Sequence, residues 1–173
     1  MSTAPITLTV VNDLSHAAFV AALGPLFEGS PWIAEATWPA RPFASIDQLH
    51  QALCATMYAA PIDRQVALIQ AHPDLAGKAA IAGELTAESA REQSAAGLGR
   101  LTPEQFATFT RLNQAYRAKF GFPFVICARE HSAAGILEQF AIRLEYPRTQ
   151  EIATALGEIA KIAQLRLLDA VRD

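Results

Sequence analysis

Apolar residues recur along most of this chain at intervals of three and four, the spacing that puts side chains on one face of an α-helix. Phe19, Leu23, Leu26 and Phe27 share such a face behind Ser15, a candidate N-cap. Pro31 can open a short helix through Ile33 and Trp38. Ser45-Ile46-Asp47-Gln48 reads as a capping box ahead of the stripe Ile46, Leu49, Leu53 and Met57. Pro61 opens the next helix, with Val66 and Ile69 inward; it must end near His72, because Pro73 disfavours α geometry at the residue before it. Asp74 to Leu85 carries two glycines and reads as a loop. Thr86 starts a helix to about Gly97. Thr102-Pro103-Glu104-Gln105 is a second capping box with proline at the first helical position. Phe106, Phe109, Asn113, Tyr116 and Phe120 continue one face until Gly121 stops it. Phe122-Pro123-Phe124-Val125-Ile126-Cys127 is extended and apolar, too short and isolated to make a sheet. Ser132 caps a helix through Ile136, Phe140 and Leu144. After Pro147 a long helix runs from about Thr149 to Val171. With no repeat and no linker, the pattern predicts an all-α fold: a single domain over residues 1–173, about eight short helices in an irregular bundle.

Composition narrows the function. Hydrophobic residues make up 51% of the chain and charged ones 18%, so much of it should be buried. The net charge of -3 comes without any basic run, which disfavours a nucleic acid partner. Cys54 and Cys127 stand apart in apolar contexts, read as small buried hydrophobes in a reducing, cytoplasmic compartment. Met1–Ile6 lacks the basic and apolar regions of a secretory signal, no apolar run is long enough for a bilayer, and Val171-Arg172-Asp173 is not a peroxisomal address.

Some polar residues sit where a helical domain does not need them. His72, at a helix end beside proline, is either an ordinary histidine or a proton carrier facing a cleft. His16, His50 and His131 have no evident polar company. Ser89, Glu92 and Gln93 fall at i, i+3 and i+4 and share one helix face. That face is either solvated or offers a hydroxyl, a carboxylate and an amide together, with Glu92 able to set the tautomer of His72. Arg166 falls inside the stripe of Ile152, Leu156, Ile159 and Ala163. A buried guanidinium needs an anion, from either a ligand or a protein carboxylate. Phe122-Pro123-Phe124 is either a core plug or a stiff loop whose N–H groups face a ligand. No phosphate loop, nucleotide fingerprint or catalytic elbow occurs, and Asp74 near His72 lacks a third ligand with metal spacing.

Taken in order, several runs resemble the OHCU (2-oxo-4-hydroxy-4-carboxy-5-ureidoimidazoline) decarboxylase family. They are Trp38-Pro39-Ala40-Arg41-Pro42-Phe43, His72-Pro73-Asp74-Leu75-Ala76-Gly77, Ser89 with Glu92 through Leu98, Leu112-Asn113, Tyr116, Lys119 through Arg129, and Glu158-Ile159 through Leu167. The resemblance implies an all-helical homodimer that needs no cofactor and no metal and performs the last step of urate breakdown to (S)-allantoin. It implies that His72 and Glu92 are catalytic. Pro73, Ser89, Gln93, Arg166 and the backbone at Phe122, Phe124, Val125 and Ile126 are implied to hold the ligand. The alternatives are a hydrolase of a ureido or cyclic amide substrate, with His72 as base, and a non-catalytic helical interaction module.

Overall fold

Thr7 begins the helical part of the chain by turning its hydroxyl onto Val10 N, satisfying one of the first-turn N–H groups that a helix leaves open. A computed structural model describes residues 5–173; most of Met1–Ile6, expected to carry no secretory signal, therefore lies outside the described residues. The chain forms two compact units, one running up to Ala71 and resuming over Ala160–Asp173, the other His72–Ile159.

The first unit holds β1 (Ile6–Thr7), α1 (Leu8–Asp13), α2 (His16–Leu23), α3 (Trp32–Thr37), α4 (Ile46–Ala59) and α5 (Ile62–Gln70). It also takes the end of α10 (Arg148–Ala170) and β2 (Val171–Arg172), which pairs parallel to β1 with Ile6 opposite Val171. Neither α1 nor the strand pair is legible in the sequence: a six-residue helix shows barely one repeat, and the strands join the two ends of the chain. Ser15 and Ser45 cap α2 and α4 as their types predict. The reciprocal half of the first capping box is displaced, because Gln48 Oε1 accepts from Ala44 N and not from Ser45. Ser45 has φ -152° where Thr102 has φ -67°, and that angle sets where a cap's own N–H points. Phe19, Leu23, Ile33, Leu49, Leu53 and Met57 are buried.

The Trp38–Phe43 run is a staple within this unit. Arg41 Nη1 donates to Asn12 O at 2.8 Å and Leu14 O at 2.6 Å, and its guanidinium lies 4.1 Å from the centroid of the Trp38 ring. Asn12 brackets Phe43, donating to its carbonyl at 2.9 Å and accepting from its N–H at 2.8 Å. Nor is His50 without polar company: Nε2 is 2.9 Å from Ala160 O and 3.3 Å from Cys54 Sγ. Cys54 and Cys127 are both buried, and burial pushes the Cys54 thiol up to about 11, where it stays protonated at neutral pH.

The second unit holds α6 (Lys78–Ala82), α7 (Ala87–Ala95), α8 (Pro103–Phe120), α9 (Ala133–Leu144) and the first part of α10. The structure thus gives ten α-helices among the described residues where about eight were expected. The second addition is α6, inside the segment read as a loop. Ala79, Ala80 and Ala82 favour helix locally, and Gly83 closes the turn in the left-handed region at φ 72°. Thr102 and Gln105 complete the second capping box, and Gly121 ends α8 at φ 79°. The core is aromatic. Phe124 stacks on Phe140 with centroids 3.8 Å apart, and Tyr116 meets Phe120, Phe122, Phe124 and Phe140. Among the described residues, no helix is long and apolar enough to cross a membrane.

Asn12→Ala removes both of its bonds to the Phe43 backbone. It should cost roughly 1–3 kcal/mol, read as a lower urea midpoint at unchanged m-value.

Candidate active site

His72 is buried at 7% exposure, in a turn too short and irregular to satisfy its own backbone. Two side chains do so instead, and a third holds the Asp74 carboxylate. Gln93, on α7, accepts from Ala76 N at 3.0 Å through Oε1 and donates from Nε2 to Asp74 O at 3.3 Å. Asn113, on α8, donates to Leu75 O at 2.9 Å. Arg117, one turn further along α8, donates to Asp74 Oδ1 at 2.9 Å. Ala76 is held at φ 49°, a conformation that costs a non-glycine residue energy unless its surroundings impose it. Gly77 is needed for closeness, since a Cβ there would lie 2.7 Å from Asp74 Cβ. Each residue of the His72–Gly77 run after Pro73 thus has a job in shaping the turn that carries the histidine.

Thr86 caps α7 by accepting from Ser89 N at 3.2 Å. Ser89 and Gln93 are buried and Glu92 is half-buried, so the shared face is not the solvated one. The helix packs against the 3-10 turn Ala128–Glu130, directly after the extended apolar segment. That segment is buried at Phe122, Phe124, Val125 and Ile126. Arg143 Nη1 donates to Val125 O at 2.8 Å, and Cys127 N donates to Glu158 Oε2 at 2.8 Å. Among the described residues, the N–H groups of Phe122, Phe124, Val125 and Ile126 have no acceptor. Buried donors without acceptors are rare in proteins and suit a ligand oxygen.

His72, Pro73, Ser89, Glu92, Gln93 and Phe122–Ile126 therefore all belong to the second unit. Arg166 belongs to the first. It is 5% exposed, and Nη1 donates to Glu28 Oε2 at 3.1 Å and Pro25 O at 3.3 Å. The burial read from the sequence is real, and a protein carboxylate meets the guanidinium. In the second unit a cavity of about 550 Å³ is lined by Ala76, Ile81, Gln93, Ser94, Leu98 and Phe106, and by neither His72 nor Glu92.

The chain matches the sequence model of the OHCU decarboxylase family over residues 12–168. It belongs to that family. A 2-oxo-4-hydroxy-4-carboxy-5-ureidoimidazoline decarboxylase from Halalkalicoccus jeotgali is 44% identical over 165 residues, covering 94% of this chain and 92% of the relative. One of the same name from Bos taurus is 43% identical over 157 residues, covering 91% and 92%. Among solved structures, an (S)-allantoin synthase superposes with a TM-score of 0.77 at 28% identity, covering 97% of this chain and 54% of that one. This chain thus spans about half the length of that protein.

Asn113 and Arg117 fasten the histidine turn, Arg143 and Glu151 the extended segment, and the sequence alone assigns none of them that role. For Arg143 the signal was present: it lies three residues after Phe140 and seven after Ile136, inside the buried stripe of α9. Its partner is Glu151, itself fully buried at 0% exposure, which also accepts a short bond from the Tyr116 hydroxyl. Burial, and then the Glu151 carboxylate, hold the Tyr116 phenol above its ordinary range.

Asn113→Ala strands the buried Leu75 carbonyl and should cost roughly 1–3 kcal/mol in chemical denaturation, with faster amide exchange at residues 75–77. The raised Tyr116 phenol gives a pH prediction. Folded and unfolded chains both keep this proton below the ordinary phenol pKa of about 10. Above it the unfolded chain releases the proton first, so this contribution to stability is lost as pH rises. The melting temperature should fall more steeply above pH ~10 in the parent protein than in Tyr116→Phe. Parallel curves would remove the assignment.

Proposed function

We propose that this chain decarboxylates 2-oxo-4-hydroxy-4-carboxy-5-ureidoimidazoline to (S)-allantoin, with His72 and Glu92 as its catalytic pair. The observation that carries the reading is the family match over residues 12–168, which includes every residue assigned here. The match runs through both compact units, which supports reading residues 1–173 as one functional domain. A buried histidine on a turn clamped from two helices, and a buried loop with unengaged N–H groups, are what such a site requires.

The substrate carries its carboxylate and a hydroxyl on one ring carbon, and the adjacent ring carbon, bearing the ureido group, is part of an imine. When the carbon–carboxylate bond breaks, its electron pair forms a double bond between the two ring carbons. The imine electrons move onto nitrogen, which takes up a proton. The product of that step is an enol. Loss of the hydroxyl proton and delivery of a proton to the ureido-bearing carbon then give the ketone. Because the imine is the electron sink, the reaction proceeds without a cofactor or metal. His72 moves the hydroxyl or imine proton, and Glu92 holds and polarises it. Proton delivery to one face sets the S configuration.

Pro73 shapes the histidine turn, Ser89 and Gln93 offer polar groups to the substrate, and the Phe122–Ile126 backbone donates to its oxygens. Arg166 binds as an N–H donor. Its charge is offset by Glu28, so a ring carbonyl or ureido oxygen suits it better than the departing carboxylate, whose ground state a free cation would stabilise. The protein acts as a cytoplasmic homodimer.

With freshly prepared substrate, the protein should release CO2 and yield optically active allantoin above the racemic background of spontaneous decay. His72→Ala and Glu92→Ala should each lower kcat by about 10²–10⁴-fold at unchanged helical circular dichroism. Near-normal turnover in either removes that residue's role. Ring opening without CO2 would instead establish the hydrolase alternative.

A further inference from the structure

We infer that Arg143 is a positioning residue of the active site: by gripping the Val125 carbonyl, it aims the Ile126 N–H at the substrate. This rests on the decarboxylase reading above. The peptide between Val125 and Ile126 is trans, so its carbonyl and its N–H point in opposite directions from one rigid plane. Arg143 Nη1 holds the carbonyl at 2.8 Å, and the guanidinium lies 4.2 Å from the centroid of the Phe124 ring. One side of the peptide is thereby anchored to α9. The other side presents a buried N–H with no acceptor among the described residues. The next peptide is pinned as well, through Cys127 N and Glu158. Ile126 N–H thus stands between two anchored points.

Glu151 orients the guanidinium that grips the loop. A guanidinium and a carboxylate gain most when two parallel bonds use both carboxylate oxygens. Here Nε at 2.9 Å and Nη2 both donate to Oε1, which also receives the Tyr116 hydroxyl. Oε2 is buried with no partner among the described residues. Nη1, meanwhile, faces the Val125 carbonyl. The guanidinium is thus shared: Nε and Nη2 serve the carboxylate while Nη1 holds the loop.

The test compares the parent protein with Arg143→Lys, which keeps the charge but lacks the fork that reaches Glu151 and Val125 together. Steady-state kinetics on OHCU should show KM raised about tenfold to a hundredfold, with kcat per folded molecule changed far less, while the melting temperature falls with the lost buried contacts. In 15N spectra the Ile126 amide should shift on titration with (S)-allantoin in the parent and respond weakly in the variant. If Arg143→Lys does not fold, the charge-free set Arg143→Met, Glu151→Leu and Tyr116→Phe replaces it, with the same expected rise in KM. Unchanged KM in a folded variant overturns the assignment. So does a loss of activity that merely tracks the folded fraction, or failure of both variants to fold. A parent protein that leaves OHCU to decay at its spontaneous rate defeats the decarboxylase reading itself, and this inference with it.

Discussion

A guanidinium at 2% exposure beside a carboxylate at 0% is the constraint around which the second unit is arranged. Taking two ions out of water costs several kcal/mol each, and only close, oriented contact recovers it. That demand reaches three helices of the unit and the extended segment. Arg143 comes from α9, Glu151 from α10, Tyr116 from α8, and Val125 from the extended segment between. The aromatic rings packed around them keep water away, which strengthens each contact and raises the penalty for losing one. The pair therefore selects one arrangement of three helices and a loop, where an oily core alone would tolerate several.

Arg166 poses the same problem in the first unit and receives the same kind of solution. Its guanidinium faces Glu28 and the Pro25 carbonyl. The consequence is chemical. An arginine whose charge is already offset is a directional donor with little net field. It can recognise a neutral oxygen without holding a leaving carboxylate in place. Burial read from a helical stripe thus says that a cation is paired, and leaves open with what.

Most of the helices were legible because their ends are written locally. Ser15, Thr86, Thr102 and Ser132 are N-caps in the structure as their types predict, and Gly121 takes the left-handed φ that stops α8. What could not be read depends on distance or brevity. The strands join the chain's two ends, α6 is only five residues long, and His50 finds its acceptor at residue 160. For the candidate site, the residue types on α7 and the histidine turn could be singled out. The clamp could not: Asn113 is polar within an apolar stripe, yet its acceptor, like that of Arg117, is set only when the fold brings residues 74 and 75 beneath them.

Gln93 shows how fastening and recognition can share one side chain. Read from sequence, it grips a ligand; in the structure, both ends of its carboxamide hold the histidine turn. The two roles are compatible. A carboxamide oxygen has two lone pairs and its nitrogen two hydrogens, and the loop engages one of each in the bonds seen here. A substrate bonding to the remaining valences would meet a group whose direction is already set by the turn it supports. The geometry of His72 and the orientation of Gln93 are then a single property. In this structure the HPDLAG turn and Gln93 complete one another: the turn's backbone fixes the carboxamide, and the carboxamide closes the turn.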